Sequence, residues 1–209
     1  MTDFFTHCWK SARLSLLALL GGLWLATVAP AARAQTAAEL SDFRLERAEG
    51  GLYLSASLRF ELAPAIEDAL TKGVAMHFVA EAELLRDRWY WYDRKVASAA
   101  RYMRLAYQPL TRRWRLSSSP EPMGAVGQGV SFTQYYDSLS EALAAVRRIS
   151  RWKIAEASEI EVDARHSVEF RFRLDVSQLP RPFQIGAAGQ GEWNLSVSRN
   201  QRLGAEGGK

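Results

Sequence analysis

The sequence predicts a mainly β protein: an antiparallel β-sandwich or curled sheet, immunoglobulin-like arrangements included, with two short covering helices. Three observations carry this. Apolar and polar residues alternate with period two through much of the chain after residue 35, as strands with one buried and one wet face require. Turn residues punctuate those runs. A regular β-α-β alternation, which would signal a parallel doubly wound sheet, is missing, and a closed barrel is the remaining alternative.

The elements follow in chain order. Phe43, Leu45 and Arg47 alternate with Arg44 and Glu46. Glu49-Gly50-Gly51 supplies a turn, and Leu52, Leu54, Ala56, Leu58, Phe60 and Leu62 then alternate with polar partners, so the pair reads as a β-hairpin. Pro64 at a first helical position, Ile66, Ala69 and Leu70 on one side and Gly73 as terminator predict a short helix. Val74, Met76, Phe78, Ala80, Ala82 and Leu84 form a third strand face, closed by Arg86-Asp87-Arg88. A further strand from about Trp89 runs to Met103, Leu105 and Tyr107, and Leu110, Trp114 and Leu116 continue the pattern after Pro109. From Ser117 to Ser131 the Ser, Pro and Gly content predicts a long loop, read as disordered, with a functional loop as the alternative. Ser138 and Glu141 form an S-x-x-E capping box, and Leu139, Ala142, Leu143, Val146 and Ile149 fall on one helical stripe. Val168, Phe170, Phe172, Leu174 and Val176 make a late strand, and Trp193, Leu195 and Val197 close the series.

The first residues predict export. Lys10 and Arg13 precede an uncharged apolar run of 15 residues, Leu14 to Val28. That run suits a signal-peptide core and is short for a membrane span of about 20 residues. Ala32-Arg33-Ala34 places small residues where a signal peptidase reads them, so cleavage before Gln35 is expected; an uncleaved anchor over residues 14–28 is the alternative. The expected organisation is a cleaved leader over 1–34, one β-rich domain over 35–199 and a fraying tail over 200–209. The cleavage context points to the periplasm.

Removing the leader changes the charge. Lys10, Arg13, Arg33 and Asp3 leave with it, taking the counts from 27 basic and 23 acidic to 24 and 22. A balance so near neutral gives no support to nucleic-acid binding. Cys8 leaves as well, so the mature chain has neither a disulfide nor a thiolate metal site.

No residue set reads as catalytic, and no cofactor or metal site is expected. His77 lies mid-strand and His166 beside a turn, and neither belongs to a close ligand pair. Glu81 with Glu83, and Glu159, Glu161 and Asp163, read as solvated faces rather than glycosidase carboxylates. Two surface features stand out. Nine basic residues (Arg86, Arg88, Arg94, Lys95, Arg101, Arg104, Arg112, Arg113, Arg115) fall among two acids, Asp87 and Asp93, in a segment expected to fold as a hairpin. Several of them on one face would attract an anionic partner; a wet face balanced by acids elsewhere is the other reading. Trp89-Tyr90-Trp91-Tyr92 puts aromatics on both strand faces, buried under neighbouring elements or exposing Trp89 and Trp91 as a platform for a sugar ring or peptide. The candidate interaction surface is therefore Arg86, Arg88, Arg101, Arg104, Arg112, Arg113, Arg115, Trp89 and Trp91.

Several motifs together resemble a family of proteobacterial exported proteins, domain of unknown function 4390. They are Ala69-Leu70-Thr71-Lys72-Gly73-Val74, Arg88-Trp89-Tyr90-Trp91-Tyr92-Asp93, Tyr107-Gln108-Pro109-Leu110-Thr111-Arg112, Ser131-Phe132, Ser138-Leu139-Ser140-Glu141-Ala142-Leu143, Trp152, Leu174-Asp175 and Leu179-Pro180-Arg181-Pro182-Phe183-Gln184. The resemblance spans most of the mature chain and implies no activity. Members are typically encoded beside a membrane sensor histidine kinase, which suggests that kinase or another envelope protein as partner. The expected function is a non-enzymatic periplasmic interaction module; an anionic lipid or glycan surface is the other kind of partner. A carrier or sensor of a lipid or other apolar ligand is the second reading, and a glycan-acting enzyme the third.

Overall fold

Leu52, Leu54, Ala56 and Leu58 bury one side of a strand, and the turn at Glu49-Gly50 sends that strand back along its predecessor. A computed structural model describes residues 38–88, 93–122, 131–161, 164–187 and 191–204. The leader expected over 1–34, its alternative anchor, and Trp89-Tyr90-Trp91-Tyr92 lie outside the described residues. No helix among the described residues is long and apolar enough to cross a membrane.

The hairpin joins β1 (Glu39–Ala48) to β2 (Gly51–Arg59), and α1 (Pro64–Thr71) follows. Next come β3 (Met76–Arg86), β4 (Arg94–Gln108), β5 (Arg113–Ser119) and β6 (Phe132–Tyr136). Then follow α2 (Leu139–Arg147), β7 (Arg148–Glu156), β8 (His166–Leu174), α3 (Arg181–Ala187) and β9 (Ser196–Arg202). They make two sheets, ordered β1-β2-β7 and β6-β5-β4-β3-β8-β9, with every neighbouring pair antiparallel. Among the described residues neither sheet closes into a barrel.

The apolar stripes meet between the sheets. Phe60, Phe78 and Phe172 stack with ring centroids 6.1, 5.7 and 5.9 Å apart, and Phe43 of the small sheet meets Phe170 of the large one at 5.8 Å. Truncating a buried phenylalanine of this kind costs about 3–5 kcal/mol. Gly51 marks a close approach of backbones. Its φ is +136°, and a Cβ there would sit 2.1 Å from the carbonyl oxygen of Ala155 on β7. Only glycine fits the seam.

Both expected helices form. Pro64 opens α1, which buries Ile66, Ala69 and Leu70 and ends at Gly73 with φ +87°. In α2 the Glu141 backbone N–H donates to Ser138 Oγ at 3.2 Å, and Ala142, Leu143 and Val146 pack down over β5 and β6. Arg147, in the last turn of α2, reaches the core: it donates to the carbonyl of Phe60 and lies 5.0 Å over that ring.

Several boundaries need correction. Ile149 is not on the helical stripe: α2 ends at Arg147, and the chain passes straight into β7, where Ile149 is buried. A third helix, α3, adds to the two expected. Leu110 continues no strand, since it sits fully exposed in the β4–β5 turn. Ser117, Ser118 and Ser119 belong to β5 and pair with β4, which shortens the expected loop; residues 123–130 of that loop lie outside the described residues. Trp193 ends a short 3-10 turn rather than a strand. Asn200, Gln201 and Arg202 do not fray: they pair with Glu169, Val168 and Ser167.

Candidate functional site

Alternation decides which side chains reach solvent. On the large sheet one face packs on the small sheet and α2; the other is open. Register partners share a face, so His77, Glu81 and Glu83 of β3 lie with Arg104 and Ala100 of β4, with Arg113, Arg115 and Ser117 of β5, and with Glu169, Arg171 and Arg173 of β8. Thr133 and Tyr135 of β6 extend the same side.

Charge divides this open face into two halves. Around β3 and β8 the cations stand beside carboxylates: Lys95 of β4 pairs with Glu83 at 2.5 Å, Arg173 with Glu81 at 3.3 Å and Arg171 with Glu169 at 2.7 Å, while Arg202 of β9, at the edge beyond β8, has no ion pair among the described residues. On the β4–β5 half, no carboxylate among the described residues stands within 4.0 Å of Arg104, Arg112 or Arg115. Arg113 pairs with exposed Asp137 at 3.0 Å and lies 6.0 Å from the Tyr135 ring. Arg112 turns the chain between the strands with φ +53°. The β4–β5 half therefore carries an unbalanced positive field.

The sequence-predicted surface is only partly assembled. Arg104, Arg112, Arg113 and Arg115 gather at the β4–β5 end. Arg101 does not join them: it pairs in register with buried Ala80, faces the small sheet, and stacks 5.2 Å over Trp152. Burial lowers its guanidinium below the ordinary arginine value, and it remains a cation. Arg86 and Arg88 lie at the opposite end of β4. That strand extends about 45 Å at roughly 3.3 Å per residue, far beyond a screening length of about 8 Å. Trp89 and Trp91 lie outside the described residues.

At that far end an open cleft of about 820 Å³ is lined by Arg86, Arg88, Arg165 and Arg202 together with Asp87, Asp93, Ala164, Ser167 and Asn200. Arg86 donates to Glu161 at 2.6 Å, so carboxylates nearly match cations there. A second hollow of about 30 Å³ lies beside His77, Tyr102 and Asp175, with room for about one water.

Both histidines stand where the sequence placed them, His77 on the open face of β3 and His166 beside a turn, and both are more buried than such positions require. Burial pushes His77 below its ordinary value, Arg104 lowers it further, and Asp175 opposes both. His166 opens β8 with 2% of its surface exposed, and neither ring nitrogen has a partner among the described residues. Burial chiefly lowers its pKa too. Among the described residues no three His, Cys, Asp or Glu side chains stand where they could hold a metal ion.

Sequence reasoning missed Tyr135 and Asp137, because β6 was not expected. The run Phe132-Thr133-Gln134-Tyr135-Tyr136, all but Gln134 strand-favouring, directly before a capping box was the available signal.

Compared with known proteins, residues 35–202 match one family model, Domain of unknown function (DUF4390). No curated protein and no solved structure matches the chain.

Proposed function

The chain belongs to the DUF4390 family, and from that premise we propose that it is an exported, non-catalytic interaction module of the bacterial envelope that binds an acidic protein surface. The observation carrying this reading is the arginine group Arg104, Arg112 and Arg115, which has no carboxylate partner among the described residues, whereas Lys95, Arg171 and Arg173 on the same face are each paired. Exposed charge of one sign steers a partner of the other sign and sets the salt dependence of binding. The phenylalanine stack occupies the space between the sheets, which favours a surface binder over a carrier of apolar ligands. The periplasm is the proposed compartment, and the sensory part of a membrane kinase is the partner suggested by the family resemblance.

The test is retention of solubilised envelope membrane proteins on the immobilised chain, set beside an Arg112→Glu, Arg113→Glu, Arg115→Glu triple variant. The wild type should retain a membrane protein that salt releases between 50 and roughly 300 mM, and the variant should not. Equal retention by both would sink the proposal.

A further inference from the structure

Among the described residues the two sheets leave four edge strands, and three are guarded against pairing with another chain. β1 carries Glu39, Asp42, Arg44, Glu46 and Arg47 and shifts register between Leu40 and Asp42. β7 carries Arg148, Arg151, Lys153 and Glu156, shifts register twice, and holds Arg151 at φ +42°. β9 carries Arg199 and Arg202. Charges and irregularities of this kind are how natural sheets blunt an edge.

β6 has none of them. Phe132-Thr133-Gln134-Tyr135-Tyr136 contains no charge, no proline and no register shift against β5. An outer edge strand directs half of its backbone N–H and C=O groups away from its sheet. The two faces beside this edge differ. Toward α2, Phe132 is 70% exposed. Toward the open face, Tyr135 is 49% exposed and lies in register with Arg115, with Arg113 beside its ring.

We propose that β6 accepts an extended segment of the partner as a seventh strand of the large sheet, with carboxylate side chains on the arginine face alternating with apolar side chains on the Phe132 face. The backbone ladder supplies affinity that does not depend on sequence. Alternation supplies the selectivity, because successive side chains of a strand meet opposite faces. This rests on the arginine-surface reading above, and it adds the conformation and the period of the bound segment.

Two labelled peptides of equal composition and charge test it with the full chain: acetyl-(Glu-Val)4-amide and acetyl-(Glu-Glu-Val-Val)2-amide, compared by fluorescence anisotropy. The alternating peptide should bind at least about tenfold more tightly, and hydrogen exchange at residues 132–136 should slow when it is saturating. Gln134→Pro and Tyr135→Pro delete neighbouring N–H groups, of which one faces β5 and the other the free edge. The edge-facing one should keep the fold and lose the peptide. Equal binding of the two peptides, unchanged exchange in β6, or sedimentation of the chain as a dimer with β6 already protected overturns strand addition. If Arg104→Glu with Arg115→Glu abolishes envelope-protein retention while β6 exchange never responds, the arginine surface stands and the seventh strand falls. β6 protection that survives that double reversal keeps the edge and removes the arginine reading.

Discussion

The two halves of the open sheet face are made from similar side chains, yet they behave as opposite kinds of surface. On β3 and β8, arginines sit beside glutamates on the same or the neighbouring strand, and each charge is spent locally. On β4 and β5, Arg104 stands diagonally from Arg115, with Ala106 and Ser117 filling the positions between. Exposed pairs such as Arg173–Glu81 contribute only about 0–1 kcal/mol each, so the balanced half is not a major source of stability. Its effect is to leave the β4–β5 half with the larger net field. Where the acids are placed, more than how many arginines there are, decides which surface carries a net charge.

Substitutions at several positions distinguish the two halves. The harshest is Gly51→Ala, which forces a Cβ against the Ala155 carbonyl at the seam of the small sheet. It should cost about 3 kcal/mol or more and impair both halves alike, as urea unfolding and partner binding would report together. Next, Arg171→Glu with Arg173→Glu puts like charges beside Glu169 and Glu81. A stability loss of about 1–2 kcal/mol with binding intact is expected, whereas Arg104→Glu with Arg115→Glu should move binding and leave urea midpoints nearly unchanged. Arg101→Met keeps bulk over Trp152 while discarding a desolvated charge; stability should stay within about 1 kcal/mol and binding should not respond.

The smallest effect is one of pH. His77 and His166 are both held below their ordinary 6.5 in the folded state. Below that value the unfolded chain takes up protons that the folded chain refuses. Stability therefore falls as pH drops from about 6.5 through the depressed folded values and is flat above. His77→Gln should make the urea midpoint less sensitive between pH 5 and 7.5, and an unaltered slope would leave His77 no part in it.

Much of this architecture could be read from period-two runs. Leu52 to Leu58 and Val168 to Leu174 place their own strands, because each has one dry face and a steady alternation. β7 could not be read that way. Ile149 extends a helical stripe, Ser150 and Arg151 are both exposed, and Ile154 and Ala155 are both buried, so two register shifts erase the alternation. β6, five residues long, left only its strand-favouring composition as a sign. On the candidate surface the sequence reading grouped Arg101 with Arg104 and Arg86 with Arg115; the first two lie three positions apart along one strand and so on opposite faces, and the last two lie a strand's length apart. What the sequence did not reveal was which carboxylates would stand beside which arginines, since Glu81 and Arg173 meet only across strands distant in the chain.

The seam at Gly51 also bears on assembly in time. β2 lies between β1 and β7, and Gly51 aligns with Glu156. When the chain emerges from its amino end, the hairpin forms early and then waits for a partner that appears only after the four strands β3 to β6. During that interval the β7-facing edge of β2, beside Leu52, Leu54 and Leu58, has no strand paired to it. Such distant pairing slows folding and invites association of half-finished chains. A newly made chain of this design is therefore open to association with its neighbours until β7 arrives.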